Sequence, residues 1–182
     1  MNAPYRPPEE FTTERFLVRR IQPSDAAAIF VGWATDPDVT KYLTWRPHVD
    51  LAETKEATAQ FHSDWDGTSS FPAVVCPLNA RGELIGSIHA RVSGSKVSYG
   101  WLVRKDHWGQ GVASEVARSA IMHALSHPQI FRTEAACDID NVASARVMQN
   151  AGMTRDALLR RYLSHPNLSN EPRDGFLYSR VR

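Results

Sequence analysis

The chain is short of almost everything that would take it out of the ordinary globular class. It has two cysteines in 182 residues. Cys76 and Cys137 each lie alone in an apolar, strand-like run, which gives neither zinc-ligand spacing nor a disulfide framework. Both are expected to be buried free thiols of a reducing compartment. No charge of one sign dominates: 21 basic residues face 20 acidic ones, a net +1. That balance argues against a nucleic-acid partner and against a charged tail. No apolar run approaches the ~18 residues of a membrane span. The opening Met1-Asn2-Ala3-Pro4-Tyr5-Arg6-Pro7-Pro8 has no apolar stretch like that of a signal peptide. Residues 1–10 read as a Pro-rich extended arm, residues 11–182 as one domain, and the cytoplasm as the expected location. There is no internal repeat or low-complexity segment. His123 and His127 stand four apart, but no third ligand is near; imidazoles at a helix C-terminus also suit the dipole, so no metal is expected.

Periodicity supplies the element order. Phe16 to Ile21 reads as a strand, followed by a helix from Asp25 to Trp33 capped by Ser24. Thr35 to Val49 is loop-like, with Pro37 and Pro47, and is followed by a helix from Leu51 to Trp65. Strands are expected at Phe71–Cys76, Leu84–Val92 and Lys96–Val103, the last two forming a hairpin through Ser93-Gly94-Ser95. In the third of these, Val97, Tyr99, Trp101 and Val103 alternate with Lys96, Ser98, Gly100 and Leu102. Ala113, Val116, Ala117, Ala120, Ile121 and Ala124 then follow a 3.6-residue period ended by Pro128. A strand at Phe131–Asp138 precedes a helix at Ala143–Ala151 with Gly152 at its C-cap. Strands at Thr154–Tyr162 and Gly175–Val181 close the chain around the polar loop Ser164–Asp174. This order gives a mixed α/β (α+β type) fold: a mostly antiparallel sheet of about seven strands with one crossover, flanked by about four helices.

Two segments carry chemistry. Trp108-Gly109-Gln110-Gly111-Val112-Ala113-Ser114 leads from a strand into a helix. Its glycines let backbone N–H groups approach a ligand, and the helix N-terminus behind them favours negative charge. About thirty residues on comes Asp140-Asn141-Val142-Ala143-Ser144, leading to Gly152-Met153. Together these resemble the GNAT superfamily of acetyl-CoA-dependent acyltransferases and, within it, the RimJ/RimL-like branch. The family's loop pattern, Gln/Arg-x-x-Gly-x-Gly/Ala, is met by Gly111 and Ala113, with Trp108 at the first position as that branch commonly shows. The likeness runs less sharply from Phe11 to Arg182 and includes Thr13-Glu14-Arg15-Phe16-Leu17-Val18-Arg19-Arg20 and Arg173-Asp174.

The resemblance implies acetyl-CoA as co-substrate. Its pyrophosphate would lie on the backbone of Gly109, Gln110, Gly111, Val112, Ala113 and Ser114, and its pantetheine along Trp101, Leu102, Val103 and Arg104. Arg104 and Lys105 are phosphate partners or ordinary solvated charges at a strand end. Asn141 is a good N-cap that would also meet the pantetheine. Acetyl transfer requires a neutral amine, a donor for the developing oxyanion and a proton for the leaving thiolate. The resemblance implies direct attack in a ternary complex, with Leu102 or Val103 N–H as the carbonyl donor. Met148 occupies the position where many relatives carry a Tyr acid; Ser144 is the alternative, unless its hydroxyl bonds back to the helix or to Asn141. The base is open. Ser98 stands where relatives often have Glu, and Glu134, Asp138, His89 and His165 are the remaining candidates. Glu115 is expected to be structural.

By the same resemblance, the acceptor would meet Trp33, Tyr42, Trp45, His48 and Tyr162, together with His165, Asn167, Asn170, Glu171 and Arg173. Aromatics in a Pro-containing loop form either a packed lid or a substrate wall. The mixed polarity leaves a peptide N-terminus or a small-molecule amine open. The rival readings are an acyl-CoA-binding sensor of little turnover and a nucleotide-phosphate protein. The latter lacks the Lys-Ser/Thr pair of a P-loop. A homodimer is possible but has no sequence signature.

Overall fold

A computed structural model describes residues 5–182. Its strands are β1 (Glu10–Thr12), β2 (Phe16–Arg20), β3 (Ser70–Pro77), β4 (Gly86–Ser93), β5 (Lys96–Val103), β6 (Arg132–Asp138), β7 (Thr154–Leu163) and β8 (Arg173–Val181). Its α-helices are α1 (Ala26–Ile29), α2 (Pro37–Thr40), α3 (Leu51–Asp64), α4 (Val112–Ser126) and α5 (Val142–Asn150). The strands form one sheet in the order β1-β2-β3-β4-β5-β6-β8-β7. Every neighbouring pair is antiparallel except β5 with β6, which α4 connects.

Period-2 alternation divides the sheet's apolar residues between two cores. Phe16, Val18, Phe71, Ala73, Val75, Val97 and Tyr99 pack on the face shared with α4 and α5. Leu17, Val74 and Cys76, the intervening positions, pack on the opposite face with Ile29, Trp33 and Val39. Both cysteines are buried and free. Burial pushes the Cys137 thiol up to about 11 and also raises that of Cys76.

Several local expectations change. The sheet has eight strands because three residues, Glu10–Thr12, pair with β2, a segment too short to show a period. Tyr5 is buried, and the Arg6 guanidinium lies over the Trp65 and Phe71 rings. From Tyr5 onward, the N-terminal arm is therefore docked. The helix expected from Asp25 to Trp33 is a 3-10 turn (Pro23–Asp25), one α turn and a π turn (Phe30–Ala34). Its cap is not Ser24. Asp25, gripped by both Arg19 Nη atoms at 2.8 Å, accepts from the Gln22 N–H at 2.8 Å. In the expected loop, Asp36 caps the short α2.

Candidate active site

The β5–β6 ladder covers only three pairs, Lys96↔Arg132 to Ser98↔Glu134. β5 nevertheless continues to Val103 and β6 to Asp138. Beyond Ser98 the two parallel strands part, while β5 stays paired with β4 along its whole length. Arg104 N–H donates to Ile85 O at 2.8 Å. Antiparallel alternation then turns the backbone groups of Leu102 toward β4, and those of Trp101 and Val103 toward the gap. Of the two expected carbonyl donors, Val103 therefore faces the opening. Leu102 sends its side chain to the opposite core. The Val103 carbonyl is taken by the Trp108 indole N–H at 2.7 Å.

The gap leads to the glycine loop. Gly109 and Gly111 have φ of +74° and +77°, left-handed conformations that glycine adopts without Cβ strain. Gly111 is the N-cap of α4, and no side chain caps that end. The amides of Val112, Ala113 and Ser114 thus form the helix's positive terminus. A distant segment holds this loop. Glu115 accepts from Thr13 Oγ1 at 2.6 Å, Arg15 N at 2.9 Å and Arg15 Nε at 2.7 Å, while Arg15 Nη1 donates to Gln110 O at 3.1 Å. Burial opposes ionisation of Glu115, but these donors outweigh it and hold its carboxyl below the usual range. Glu115 is a structural clamp, as expected. The Arg15 contribution escaped the sequence reading because the partners lie 100 residues apart. Arg104 bonds through its guanidinium to Asp106, Glu83 and Leu84 O, and Lys105 pairs with Asp38. Both cations are thus bound within the fold, and Arg104 adjoins the gap through its backbone.

Across the gap, Asn141 Oδ1 accepts from Ser144 N–H at 3.1 Å. The cap is formed, and the Asn141 Nδ2 group remains available. Ser144, Met148 and Ala151 share one face of α5; the last two are fully buried. Ser144 is half-buried at the open end of that face. Among the described residues its hydroxyl has no hydrogen-bond partner, so it does not bond back to the helix.

The loop after α2 and the β7–β8 loop meet beside α5. Asn167 Nδ2 donates to Thr40 O and Trp45 O, both at 2.8 Å. Tyr42 Oη donates to Asp140 O at 3.3 Å. Trp45 is half-buried against His48, their ring centroids 4.9 Å apart. Trp33, expected at the acceptor wall, is instead 3% exposed in the core behind it, because it sits on the inward side of the π turn. Tyr162 is exposed on edge strand β7, beside Arg161 at φ +48° and a register shift. Arg173 Nε donates to Asp138 Oδ2 and its Nη2 to Asp140 Oδ2, both at 2.6 Å. Of the base candidates, Glu134 is paired with Lys96 and Arg132 at the closed end of the β5–β6 ladder. His89 lies between Ser70 and Arg91 beside Phe61. Asp138 ends β6 beside these loops, and His165 lies in the β7–β8 loop. Among the described residues, no group of three His, Cys, Asp or Glu could hold a metal ion, and no helix is long and apolar enough to cross a membrane.

Comparison with known proteins agrees with this geometry. The acetyltransferase (GNAT) domain family matches residues 15–154. An uncharacterized N-acetyltransferase, p20, of Bacillus licheniformis is 24% identical over 158 residues, 85% of this chain and 87% of that protein. Among solved structures, RimJ of Mycobacterium smegmatis in complex with CoA-disulfide superimposes with TM-score 0.81 at 18% identity, covering 96% of this chain and 88% of that one. An acetyltransferase of Salmonella typhimurium that modifies the N-terminal serine of ribosomal protein L7/L12 superimposes with TM-score 0.79 at 16% identity, covering 93% and 96%. The parted parallel strands, the glycine loop opening α4 and a family match across most of the sequence make this chain a member of the GNAT acetyltransferase family, with structural neighbours in its RimJ/RimL branch.

Proposed function

We propose that this protein is an acetyl-CoA-dependent N-acetyltransferase that passes the acetyl group to a primary amine by direct attack in a ternary complex. The observation that carries this reading is the parting of β5 from β6, which leaves an open strand edge running to the glycine loop. A pantetheine arm pairs there as an added strand, through the backbone of Trp101. The amides from Gly109 to Ser114 meet the pyrophosphate. Asn141 Nδ2 donates to a pantetheine carbonyl. Val103 N–H faces the thioester oxygen, where charge develops as the amine attacks. Ser144 Oγ supplies the proton to the leaving sulfur. The acceptor enters between the loop carrying Tyr42 and Trp45 and the β7–β8 loop, with Tyr162 at its edge. A peptide N-terminus is one acceptor class this supports, in line with the Salmonella neighbour; a small amine is the other.

Met148 and Ser98, in place of a Tyr acid and a Glu, favour a second reading: a fold that binds acyl-CoA and senses it. The deciding experiment is calorimetric titration of acetyl-CoA into wild type and Gly111→Glu, followed by an amine panel read by free thiol. Binding lost in the variant, with thiol release from wild type, supports the enzyme. Binding without release from any amine favours the sensor. No wild-type binding overturns both.

A further inference from the structure

His165 is 5% exposed, and neither ring nitrogen has a hydrogen-bond partner among the described residues. A buried imidazole in that state calls for an explanation. Its Nε2 faces Asp138 Oδ2 at 3.9 Å. Burial opposes ionisation of Asp138, but the Arg173 guanidinium and the Asp140 N–H outweigh it and keep the carboxyl below the usual range. The ring also lines an open cleft of about 270 Å³ walled by Thr44, Ser164, Pro166, Ser169, Asn170 and Glu171.

We propose that His165, oriented by Asp138, is the proton acceptor for the incoming amine; this rests on the acetyltransferase reading. Three observations place it there. The cleft lies between the two loops that frame the acceptor side, and Asn167 locks those loops together two residues from His165. Tyr42 presents its ring edge-on to His165 at 6.1 Å and donates its hydroxyl to Asp140 O. Arg173 bridges Asp138 and Asp140, and Asp140 directly precedes the Asn141 that caps the helix bearing Ser144. The Arg173 network of Asp138 and Asp140 thus adjoins both the imidazole, 3.9 Å from Asp138, and the helix bearing the hydroxyl assigned to the leaving group.

An imidazole also suits the task, because one ring nitrogen can accept a proton while the other keeps its own. The carboxylate opposite one nitrogen favours a proton there and leaves the other nitrogen basic. Both ring nitrogens are buried, and rotation about the soft His χ2 torsion is what turns one toward the cleft in the free protein, ready for the amine. The ammonium gives one proton to the imidazole, and the freed lone pair forms the N–C bond. The C–S bond breaks with its electron pair on sulfur, which takes a proton from Ser144. The nitrogen's remaining surplus proton restores the Ser144 hydroxyl, and the imidazolium returns its proton to solvent. The charged and titratable groups around the ring are Asp138, Asp140, Arg173, Tyr42 and Glu171.

The test is the kcat–pH profile of His165→Gln, a change that leaves the Arg173–Asp138 pair intact, measured with the best amine of the panel and with a weakly basic one, semicarbazide. At pH 7, kcat with the basic amine should fall about 10²–10³-fold. The loss should shrink as pH approaches the amine's own pKa, and should be within about fivefold for semicarbazide, which needs no base. Acetyl-CoA affinity should be unchanged. A turnover-independent readout is diethyl pyrocarbonate labelling of folded wild type, mapped by mass spectrometry: His165 should label, and the amine should protect it. An equal loss for both amines at every pH, or a His165 that stays unlabelled while exposed histidines react, overturns the inference and leaves the acetyltransferase reading standing. Wild type that binds acetyl-CoA but releases no thiol with any amine removes the acetyltransferase reading, and the inference with it.

Discussion

Ser144 and Asn141 divide the work at the start of α5, and substitutions separate their parts. The Ser144 hydroxyl is without a partner among the described residues, and only its backbone N–H serves the cap. Ser144→Ala should lower kcat at least tenfold and leave the acetyl-CoA dissociation constant within about twofold. Thiol release and calorimetry check this, and an unchanged kcat removes the proton-donor role. Asn141 caps the helix, and its amide is proposed to meet the ligand. Asn141→Asp keeps the cap acceptor but replaces the donor with a negative charge, so thermal stability should hold while acetyl-CoA affinity falls. Asn141→Ala should lose both, with about 1 kcal/mol of stability. Equal stability losses in the two variants would mean that the cap depends on more than the accepting oxygen. Sequence pattern was enough to find the Asn141 cap, because capping acts within three residues; the ligand and proton-donor roles came from the family resemblance.

At the level of elements, the N-terminus of α4 is the proposed anion site, and charge there should act oppositely on the fold and on the ligand. Ser114 lies in the first turn, where a carboxylate favours the helix dipole. Ser114→Glu should therefore hold or raise the thermal midpoint while weakening acetyl-CoA binding about tenfold or more, since the new charge faces the pyrophosphate. A calorimetric titration beside a thermal melt reads both, and unchanged affinity would place the phosphates elsewhere. The same helix is tied to the β1–β2 turn by Glu115, whose three bonds come from Thr13 and Arg15. Glu115→Ala leaves these donors unpaired and frees the loop that Arg15 holds through Gln110 O. It should cost about 1–3 kcal/mol and also weaken cofactor binding, because an ordered loop binds with less entropy loss.

For the whole molecule, acid should act first through His89 and, at lower pH, through paired carboxylates such as Asp138. His89 lies on β4, and its pKa falls to about 4, first through burial and then through Arg91. It is neutral in the fold and ordinarily titrates near 6.5. Its contribution is therefore intact above 6.5 and is lost as pH falls from there toward about 4, on the order of 3 kcal/mol in all. His89→Gln should flatten the wild-type decline of thermal midpoint over that window. Asp138 acts lower. Its folded pKa lies below 3.8, so its stabilisation holds above 3.8 and disappears as pH falls through the folded value. The melting temperature of Asp138→Asn should be lower at neutral pH and converge on wild type in strong acid.

The sequence by itself marked most of the strands, the longer helices and the glycine loop proposed to hold the cofactor. Alternation in Val97, Tyr99, Trp101 and Val103, the helical period from Ala113 to Ala124, and Gly109 and Gly111 at a strand-to-helix turn are properties of consecutive residues. They act through backbone sterics and the need to bury one face. Only the tertiary structure decided that β5 and β6 part after Ser98, that Val103 rather than Leu102 turns its amide to the gap, and that Trp33 lies behind the acceptor wall. It also brought Arg15 to Glu115 and His165 to Asp138. Each of these depends on register or contact between distant segments, where a one-residue shift would turn every backbone group and side chain the other way, and local pattern carries no record of that choice.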